Sequence, residues 1–343
     1  MCLKKLNIIL SFTLAAFSFQ LLTFNLSAQD IHFSQFYYSP INLNPSLSGQ
    51  FNGDYRIVFN HRTQWRSVTQ PYKTFGVSVD AANILAKQNI QGVNAGFATI
   101  YDRTGDSKFT TFKMNLSGGY SKNLTSDSIH SVSIGLQTGI TQRSINYDAL
   151  SFDNQYNGYK YDPNLSSRET FANDGRIYPN LNLGFSYSFH PKARQRYTAG
   201  MSFFNLTSPK QSFFNDNSIR LDRRALFFVT TDFMITPEID LMPGLQFQQQ
   251  GKFSELLVGS NMRYRLDGIT AITGGFWYRN KDATYVTAGL EYDNITVGVS
   301  YDFNISTLKP ASNLRGGLEI AVIYIFRKFR PEIKYYKVCP NYI

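Results

Sequence analysis

Four histidines are the main candidate side chains for catalysis, and none of them stands in a known catalytic motif. They are His32, His61, His130 and His190. No His-Glu-x-x-His sequence occurs, and no Cys and His spacing resembles a zinc site. The chain also lacks a Gly-x-Ser-x-Gly elbow and a phosphate-binding Walker loop. A barrel can bring Ser, His and Asn together from different strands for hydrolysis. We nevertheless expect no enzyme, because His130 and His190 fall at predicted turns, where histidines are ordinarily solvated.

A group of acidic residues raises the question of a calcium site. The group comprises Asp148, Asp153, Asp162, Glu169 and Asp174. Carboxylates are good calcium ligands, but this spacing lacks the EF-hand pattern of Asp at loop positions 1, 3 and 5 with Glu at 12. We therefore interpret the segment as a solvated loop, and we predict no metal centre and no cofactor.

The same segment is better suited to binding a protein. Residues 153–170 read DNQYNGYKYDPNLSSRET. Long loops are uncommon unless they are functional or disordered, and Tyr and Arg are favoured anchors of protein interfaces. A mobile surface loop is the alternative. With a second long link further along the chain, the candidate partner-binding residues are Tyr156, Tyr159, Tyr161, Arg168, Phe213 and Phe214.

Alternation of apolar and polar residues predicts strands along most of the chain. Ile295–Phe303 reads ITVGVSYDF, Leu181–Phe189 reads LNLGFSYSF and Phe75–Ala81 reads FGVSVDA. Strict alternation over such lengths is typical of β-strands. About fourteen such segments occur, each roughly the 9–11 residues that cross a bilayer obliquely. They are predicted at 54–62, 73–82, 92–102, 111–121, 131–143, 181–190, 196–206, 225–236, 239–249, 255–266, 269–279, 284–292, 295–303 and 315–327.

The composition of the strand faces predicts that the apolar face meets lipid. The polar face is dominated by Gly, Ser, Asn, Thr and Gln with few Lys or Glu. Such small polar residues are typical of a barrel lumen, whereas a soluble sandwich usually places charged residues on its watery face. A secreted two-domain β-sandwich is the alternative. Aromatic residues near strand ends, where an interfacial girdle would lie, include Tyr101, Tyr120, Trp277, Tyr292 and Phe326.

The lengths of the predicted connections favour the barrel. The tightest turns, at 236–238, 267–268 and 293–294, all follow even-numbered strands, and the longest links, at 144–180 and 207–224, follow odd-numbered strands. Outer-membrane barrels have short periplasmic turns and long external loops. We therefore predict an all-β transmembrane barrel of about fourteen antiparallel strands in the outer membrane, with both termini in the periplasm.

The N-terminal residues predict export. A basic start and an apolar stretch over 7–24 precede Ala28, a small residue at which cleavage would leave Gln29 as the new terminus. This arrangement is typical of a secretory signal peptide. We divide the chain into a signal peptide at 1–28, an N-terminal segment at 29–53, a barrel at 54–327 and a basic C-terminal tail at 328–343.

Cysteine content and charge exclude two further possibilities. Cleavage would leave Cys339 as the one cysteine, so an intrachain disulfide is not possible. The formal net charge is +10. In an exported chain this charge does not indicate nucleic acid, because the tyrosines are scattered along strands instead of being interleaved with a basic patch as stacking platforms are.

Several short motifs resemble those of a known family. The chain reads HFSQFYYSPINLNPSLSG at 32–49, YRIVFNHRTQWRSV at 55–68 and TFGVSVD at 74–80. Their order and spacing resemble the opening of the PorP/SprF family, and residues 301–326 resemble its closing hairpin. Asn60-His61 departs from the Tyr-Arg-Asn-like run expected before Arg62. The residues that match family motifs are Ser34, Gln35, Phe36, Asn44, Pro45, Gly49, Arg62, Gln64, Trp65, Cys339 and Pro340.

The resemblance implies an outer-membrane protein of the type IX secretion and gliding machinery of Bacteroidetes-type bacteria. Such a protein would help to export a cognate adhesin-like protein and to anchor it at the cell surface. The implied partners are a secreted protein with a type IX C-terminal domain, other components of the secretion system, and outer-membrane lipid. The alternative from another class is a diffusion porin or a FadL-like transport channel for small solutes.

The segment FSQFYYSPINLNPSLSG, at 33–49, does not read as a strand. Its prolines and asparagines are incompatible with a regular ladder, so it must fold against something else. One possibility is that Phe36, Tyr37 and Tyr38 plug the periplasmic mouth of the lumen. The other is that the segment docks on periplasmic machinery. We favour the plug.

Overall fold

Fourteen antiparallel strands form one closed barrel. The computed structural model describes residues 30–66, 70–169, 172–214, 216–306 and 312–327. The strands are β1 Tyr55–Gln64, β2 Tyr72–Ala81, β3 Val93–Thr104, β4 Phe109–Asn123, β5 His130–Ser144, β6 Gly175–Lys192, β7 Gln195–Phe204, β8 Arg224–Met234, β9 Ile239–Gln250, β10 Phe253–Arg265, β11 Thr270–Arg279, β12 Ala283–Tyr292, β13 Ile295–Asn304 and β14 Arg315–Phe326.

Each strand pairs with its neighbours along the chain, and the first strand pairs with the last. Tyr55 of β1 lies opposite Phe326 of β14, and Gln64 lies opposite Gly317. Every strand therefore has a partner on both sides, which satisfies its backbone groups where no water is available. The predicted fold class is confirmed.

Helical structure is confined to single turns. The α-helical turn α1 spans Pro40–Leu43, and none of the helices in these described ranges is long enough to cross a membrane. The 3₁₀ turns are Phe36–Tyr38, Pro45–Leu47, Ala86–Gln88, Tyr147–Ala149 and Asp153–Gln155.

The alternation of the sequence becomes the two faces of the barrel wall. In β13, Ser300 and Asp302 point inward and are buried, whereas Val299 and Phe303 point outward and are exposed. The aromatic residues Tyr101, Tyr120, Tyr292 and Phe326 lie on the outer face, as predicted. Trp277 does not, because it is 1% exposed and lies inside the barrel.

The two ends of the barrel differ in their connections. We name the end where β1 begins and β14 ends the terminal end, and the opposite end the loop end. The two longest links, 145–174 and 205–223, both lie at the loop end. However, β9 and β10 are joined there by only Gly251 and Lys252, with Gly251 at φ 56°. The prediction that the tightest turns all lie at the other end was therefore wrong.

Strand β6 begins at Gly175, six residues before the predicted start at 181. Pro179 lies within it, opposite Ile140 of β5. A proline cannot donate to a ladder and is tolerated at an edge. Pairing with β7 starts only at Leu183, so Pro179 lies where β6 has a free edge on that side. The long link is correspondingly shorter than predicted.

Candidate functional site

The N-terminal residues 30–53, which we name the lumenal segment, run through the inside of the barrel from one end to the other. At the loop end, the Asp30 N–H donates to Oε1 of Gln250 at 2.9 Å, and the Asp30 carboxylate pairs with Lys113. Near the terminal end, the Gly49 N–H donates to Asp80 at 2.8 Å. The described chain therefore starts at the opposite end of the barrel from Phe326.

Electrostatics fix the first residue of the lumenal segment. Burial alone would raise the pKa of the Asp30 carboxyl, but the Lys113 ammonium and the Arg224 guanidinium outweigh it and hold that pKa below its usual range. Asn205, which follows β7, also donates to this carboxylate at 3.4 Å. Since Asn205 begins the 205–223 loop, Asp30 connects the lumenal segment to the loop end.

A buried ionic cluster grips the next residues of the lumenal segment. The Glu319 carboxylate accepts the backbone N–H groups of Ser34 at 2.7 Å and Gln35 at 2.9 Å. The Ser34 hydroxyl donates to Asp302 at 2.9 Å and accepts from Arg279 at 2.7 Å. Buried charges are tolerated when they are paired and hydrogen-bonded. Here the backbone of the lumenal segment completes that pairing.

Arg62 joins this cluster to the start of the lumenal segment. Its guanidinium donates to the backbone oxygen of His32 at 2.7 Å and to Asp302 at 3.1 Å. The Arg62 residue is 2% exposed, and Glu319 is 1% exposed. Arg62 therefore serves both the charge balance of the barrel wall and the position of the segment.

Aromatic side chains fill the lumen beside the cluster. Phe36 lies edge-on to Trp277 with ring centroids 5.5 Å apart, and Tyr37 stacks on Trp277 at 5.3 Å. Trp277 also stacks on Tyr285 at 6.1 Å, and the Tyr285 hydroxyl donates to the backbone oxygen of Ser34 at 2.7 Å. The sequence predicts Phe36, Tyr37 and Tyr38 at the periplasmic mouth of the lumen. Phe36 and Tyr37 instead lie beside Trp277, which is opposite Gly259 at the middle of β10.

The Asn44-Pro45 pair docks against the opposite wall. The Asn44 amide donates to the backbone oxygens of Phe185 and Met201, both at 3.0 Å, and its own oxygen accepts from Ser46 N–H at 2.9 Å. Glycines on the wall make this approach possible. A Cβ on Gly184 would overlap the Asn44 side chain, and a Cβ on Gly135 would overlap the Pro45 backbone.

We expect Gly135→Ala to displace the 3₁₀ turn Pro45–Leu47 from the wall, because the added Cβ would lie 2.3 Å from the backbone carbonyl carbon of Pro45. Overpacking of this kind costs about 1–3 kcal/mol. Hydrogen exchange of the amides in 44–49 should become faster. Gly118→Ala on the neighbouring strand is the matched control, because nothing lies within 4 Å of its added Cβ. Equal exchange in both variants would contradict this packing.

The residues of the family motifs separate into two places. Ser34, Gln35, Phe36, Asn44, Pro45, Gly49 and Arg62 lie together in the lumen, through the contacts above. Gln64 and Trp65 lie at the loop end of β1, where Trp65 packs on Tyr72 with centroids 4.8 Å apart. Ala28, Gln29, Cys339 and Pro340 lie outside the described residues, as do both predicted chain termini.

Sequence reasoning did not find the wall residues that hold the segment, namely Lys113, Arg279, Asp302 and Glu319. A signal was available, because these are charged residues on inward strand faces that otherwise carry no charge. A buried charge on such a face requires a partner. The identity of that partner is not readable from spacing, because Glu319 and Ser34 are 285 positions apart.

The histidines do not meet one another. His32 is in the lumen near Glu255, at 3.4 Å, and His61 faces outward on β1. His130 stacks on Phe189 with centroids 4.8 Å apart. His190, near the end of β6, is partly exposed and lines a cavity at the terminal end. No group of three or more His, Cys, Asp or Glu within the described ranges is arranged to hold a metal ion.

The two long links form one surface at the loop end. The Asn173 amide donates to the backbone oxygen of Phe213 at 2.9 Å, and Arg143 at the end of β5 donates to Gln211 at the side-chain oxygen. Phe213 is partly buried against Phe109, with centroids 6.2 Å apart. The remaining predicted anchors project from this surface: Tyr156 is 59% exposed, Tyr159 94%, Tyr161 47% and Phe214 60%, and Arg168 is exposed too.

A family model described as "Type IX secretion system membrane protein PorP/SprF" matches residues 25–324. The chain belongs to the PorP/SprF family. It is therefore an integral outer-membrane barrel of the type IX secretion system, in a family that is not one of enzymes. Membership also implies that other components of this secretion system are its partners. The resemblance of the motifs to this family is confirmed.

Solved structures show a similar fold at low identity. The toluene transporter TbuX of Ralstonia pickettii is 10% identical, with a TM-score of 0.50, and the match covers 84% of this chain and 93% of the transporter. The CymD monoaromatic hydrocarbon channel is 10% identical, with a TM-score of 0.48, covering 89% of this chain and 94% of the channel. A comparison with curated proteins found no match.

Proposed function

We propose that this PorP/SprF protein holds a secreted, adhesin-like protein at the cell surface through its loop end, and so helps its export. The observation that carries the proposal is the joined surface of the 145–174 and 205–223 links, with exposed Tyr159 and Phe214. Exposed aromatic side chains on a surface fixed by hydrogen bonds are typical of protein interfaces. The secreted partner would bear a type IX C-terminal domain.

The lumenal segment inside the barrel favours an anchoring function over a transport channel. The lumenal segment packs against the wall from Lys113 at the loop end to Asp80 near the terminal end. In this proposal residues 30–53 form a plug, the terminal end faces the periplasm and the loop end faces outward. That orientation agrees with the long external loops of outer-membrane barrels.

The test measures how much secreted protein stays on the cell. We expect the double variant Tyr159→Ala and Phe214→Ala to release the partner into the medium, because an interface anchor contributes about 2 kcal/mol or more, or roughly thirtyfold in affinity. Deleting 151–170 should abolish retention. Pull-down of the intact barrel from solubilised outer membrane, followed by mass spectrometry, identifies the partner.

The matched control carries alanines at Ile84 and Ile90, which are 46% and 48% exposed in the 82–92 link at the terminal end. These changes remove comparable apolar surface from the end that would face the periplasm. Retention should then equal that of the unmodified protein. Full retention in the Tyr159 and Phe214 variant would rule out the proposed surface.

The fold favours one second candidate, a transport channel, because the similar TbuX structure is a toluene transporter. A channel predicts conductance or solute uptake by the unmodified protein. The anchor predicts neither, since the lumenal segment occupies the barrel.

A further inference from the structure

A cavity of about 420 Å³ lies inside the terminal end of the barrel, between the lumenal segment and the wall formed by β6 to β11. At a share of about 30 Å³ per water, it would hold roughly fourteen waters. It is within the range of small-molecule sites, about 300–1,000 Å³. It lies at the opposite end from the loop surface, so it does not depend on the proposed anchoring function.

From the terminal end inward, the side chains that line the cavity change from charged to apolar. His190, Arg196 and Asp232 are near the ends of β6, β7 and β8 at the terminal end. The hydroxyl groups of Ser188, Thr198 and Thr230 follow further in. Aromatic and aliphatic side chains complete the lining: Tyr37, Tyr38, Leu43, Leu47, Phe228, Met242 and Trp277.

The charges of the lining favour an anion. Three arginines, Arg56, Arg196 and Arg263, line the cavity against one acidic residue, Asp232. Arg56 is paired with Asp80 and Arg263 with Glu291. Arg196 differs: it is exposed at the mouth of the cavity and lies opposite Asp232 in the β7–β8 register, but no ion pair within the described ranges includes it. His190 Nε2 is buried and has no hydrogen-bond partner. A buried polar atom without a partner is unusual and calls for a ligand or water.

We propose that this cavity binds a small amphiphilic carboxylate, with its apolar body against Tyr37, Phe228 and Trp277 and its carboxylate at Arg196 and His190. Arg196 would donate to the carboxylate oxygens, and His190 Nε2 would donate a further hydrogen bond. Burial of the ligand's apolar body removes apolar area from water, which favours binding. Asp232 disfavours a dicarboxylate at the same mouth.

Trp277 provides the readout, because the chain has only two tryptophans, Trp65 and Trp277. A Trp65→Phe background leaves Trp277 as the sole reporter. The full-length barrel in lipid nanodiscs is titrated with 4-phenylbutyrate, and then with 4-phenylbutanol and 4-phenylbutylamine, which share its body. We expect a saturable change in Trp277 emission, with the acid bound most tightly and the amine most weakly.

Arg196→Gln should weaken 4-phenylbutyrate about tenfold to a hundredfold, the loss expected for a charge-assisted hydrogen bond, and leave 4-phenylbutanol unchanged. Lys192→Gln is the matched control, because Lys192 is exposed near the same mouth and does not line the cavity. Asp232→Asn should tighten the acid. Heat-shifted migration on SDS gels confirms that each variant is assembled.

Two results would overturn the proposal. One is an unchanged Trp277 emission at millimolar 4-phenylbutyrate. The other is equal binding of the acid and the alcohol that Arg196→Gln does not alter, since the cavity would then be an apolar vestibule without an anion site. Neither result affects the loop surface, so failure here and failure of the anchoring proposal are distinguishable.

Discussion

Deletion of residues 30–49 is expected to turn a closed barrel into a conducting one. Barrels of about eight strands are filled by their own side chains, whereas those of 16–18 strands leave an aqueous channel. With fourteen strands, this barrel lies between these cases. The lumenal segment crosses its lumen and contacts the wall, as in the contacts of Phe36 and Tyr37 with Trp277. Without them, wall side chains alone would have to span the interior.

The measurement is single-channel conductance in a planar bilayer. The unmodified protein should show little or no conductance, and the deletion variant should show large, stable openings. A deletion of 153–167 is the control, because it shortens the loop surface and leaves the lumenal segment in place. If the barrel without residues 30–49 conducts no better than the unmodified protein, then the segment is not the plug. Weaker secretion without conductance would instead support docking on periplasmic machinery.

Replacement of Arg62 by Met is expected to be the most destabilising single change among the cluster residues. Arg62 pairs with Asp302 at 3.1 Å, approaches Glu319 at 3.9 Å and holds the His32 backbone. Methionine has no positive charge, so the buried negative charges of Asp302 and Glu319 would be less well compensated. Loss of one partner from a buried ion pair costs about 3–5 kcal/mol. The free energy of unfolding in urea should fall by that amount, and protease should cleave the lumenal segment more readily.

Two further variants make this experiment specific. Arg66→Met removes an exposed arginine four positions later, and surface changes of this kind stay within about 0.5 kcal/mol. The double variant Arg62→Met with Asp302→Asn should recover part of the loss, because it removes one of the two carboxylates that lost Arg62 as a partner, and Arg279 still has Glu255 and Asp282 nearby. An Arg62→Met protein that unfolds like the unmodified one would show that the cluster does not stabilise the fold.

The fold class, the approximate positions of most strands and the family could all be predicted from the sequence. This was possible because steric and solvent constraints act on neighbouring residues. In Ile295–Asn304, each outward residue meets an apolar environment and each inward residue meets a polar one. Alternation failed as a guide where apolar residues are consecutive. Phe276, Trp277 and Tyr278 follow one another, so the pattern did not show that Trp277 points inward.

The position of the lumenal segment, and the wall residues that hold it, depend on how the strands are arranged in three dimensions. Closure of β1 on β14 places Arg62 opposite Glu319, and the register of β13 on β14 places Asp302 opposite Gly317, two residues from Glu319 and within reach of Arg62. These positions depend on every strand register around the barrel, so no local pattern contains them. The segment itself has no periodicity, because its conformation is set by the wall. The path of the segment through the barrel, from Lys113, which pairs with Asp30, to Asp80, which accepts from Gly49, therefore depends on barrel closure.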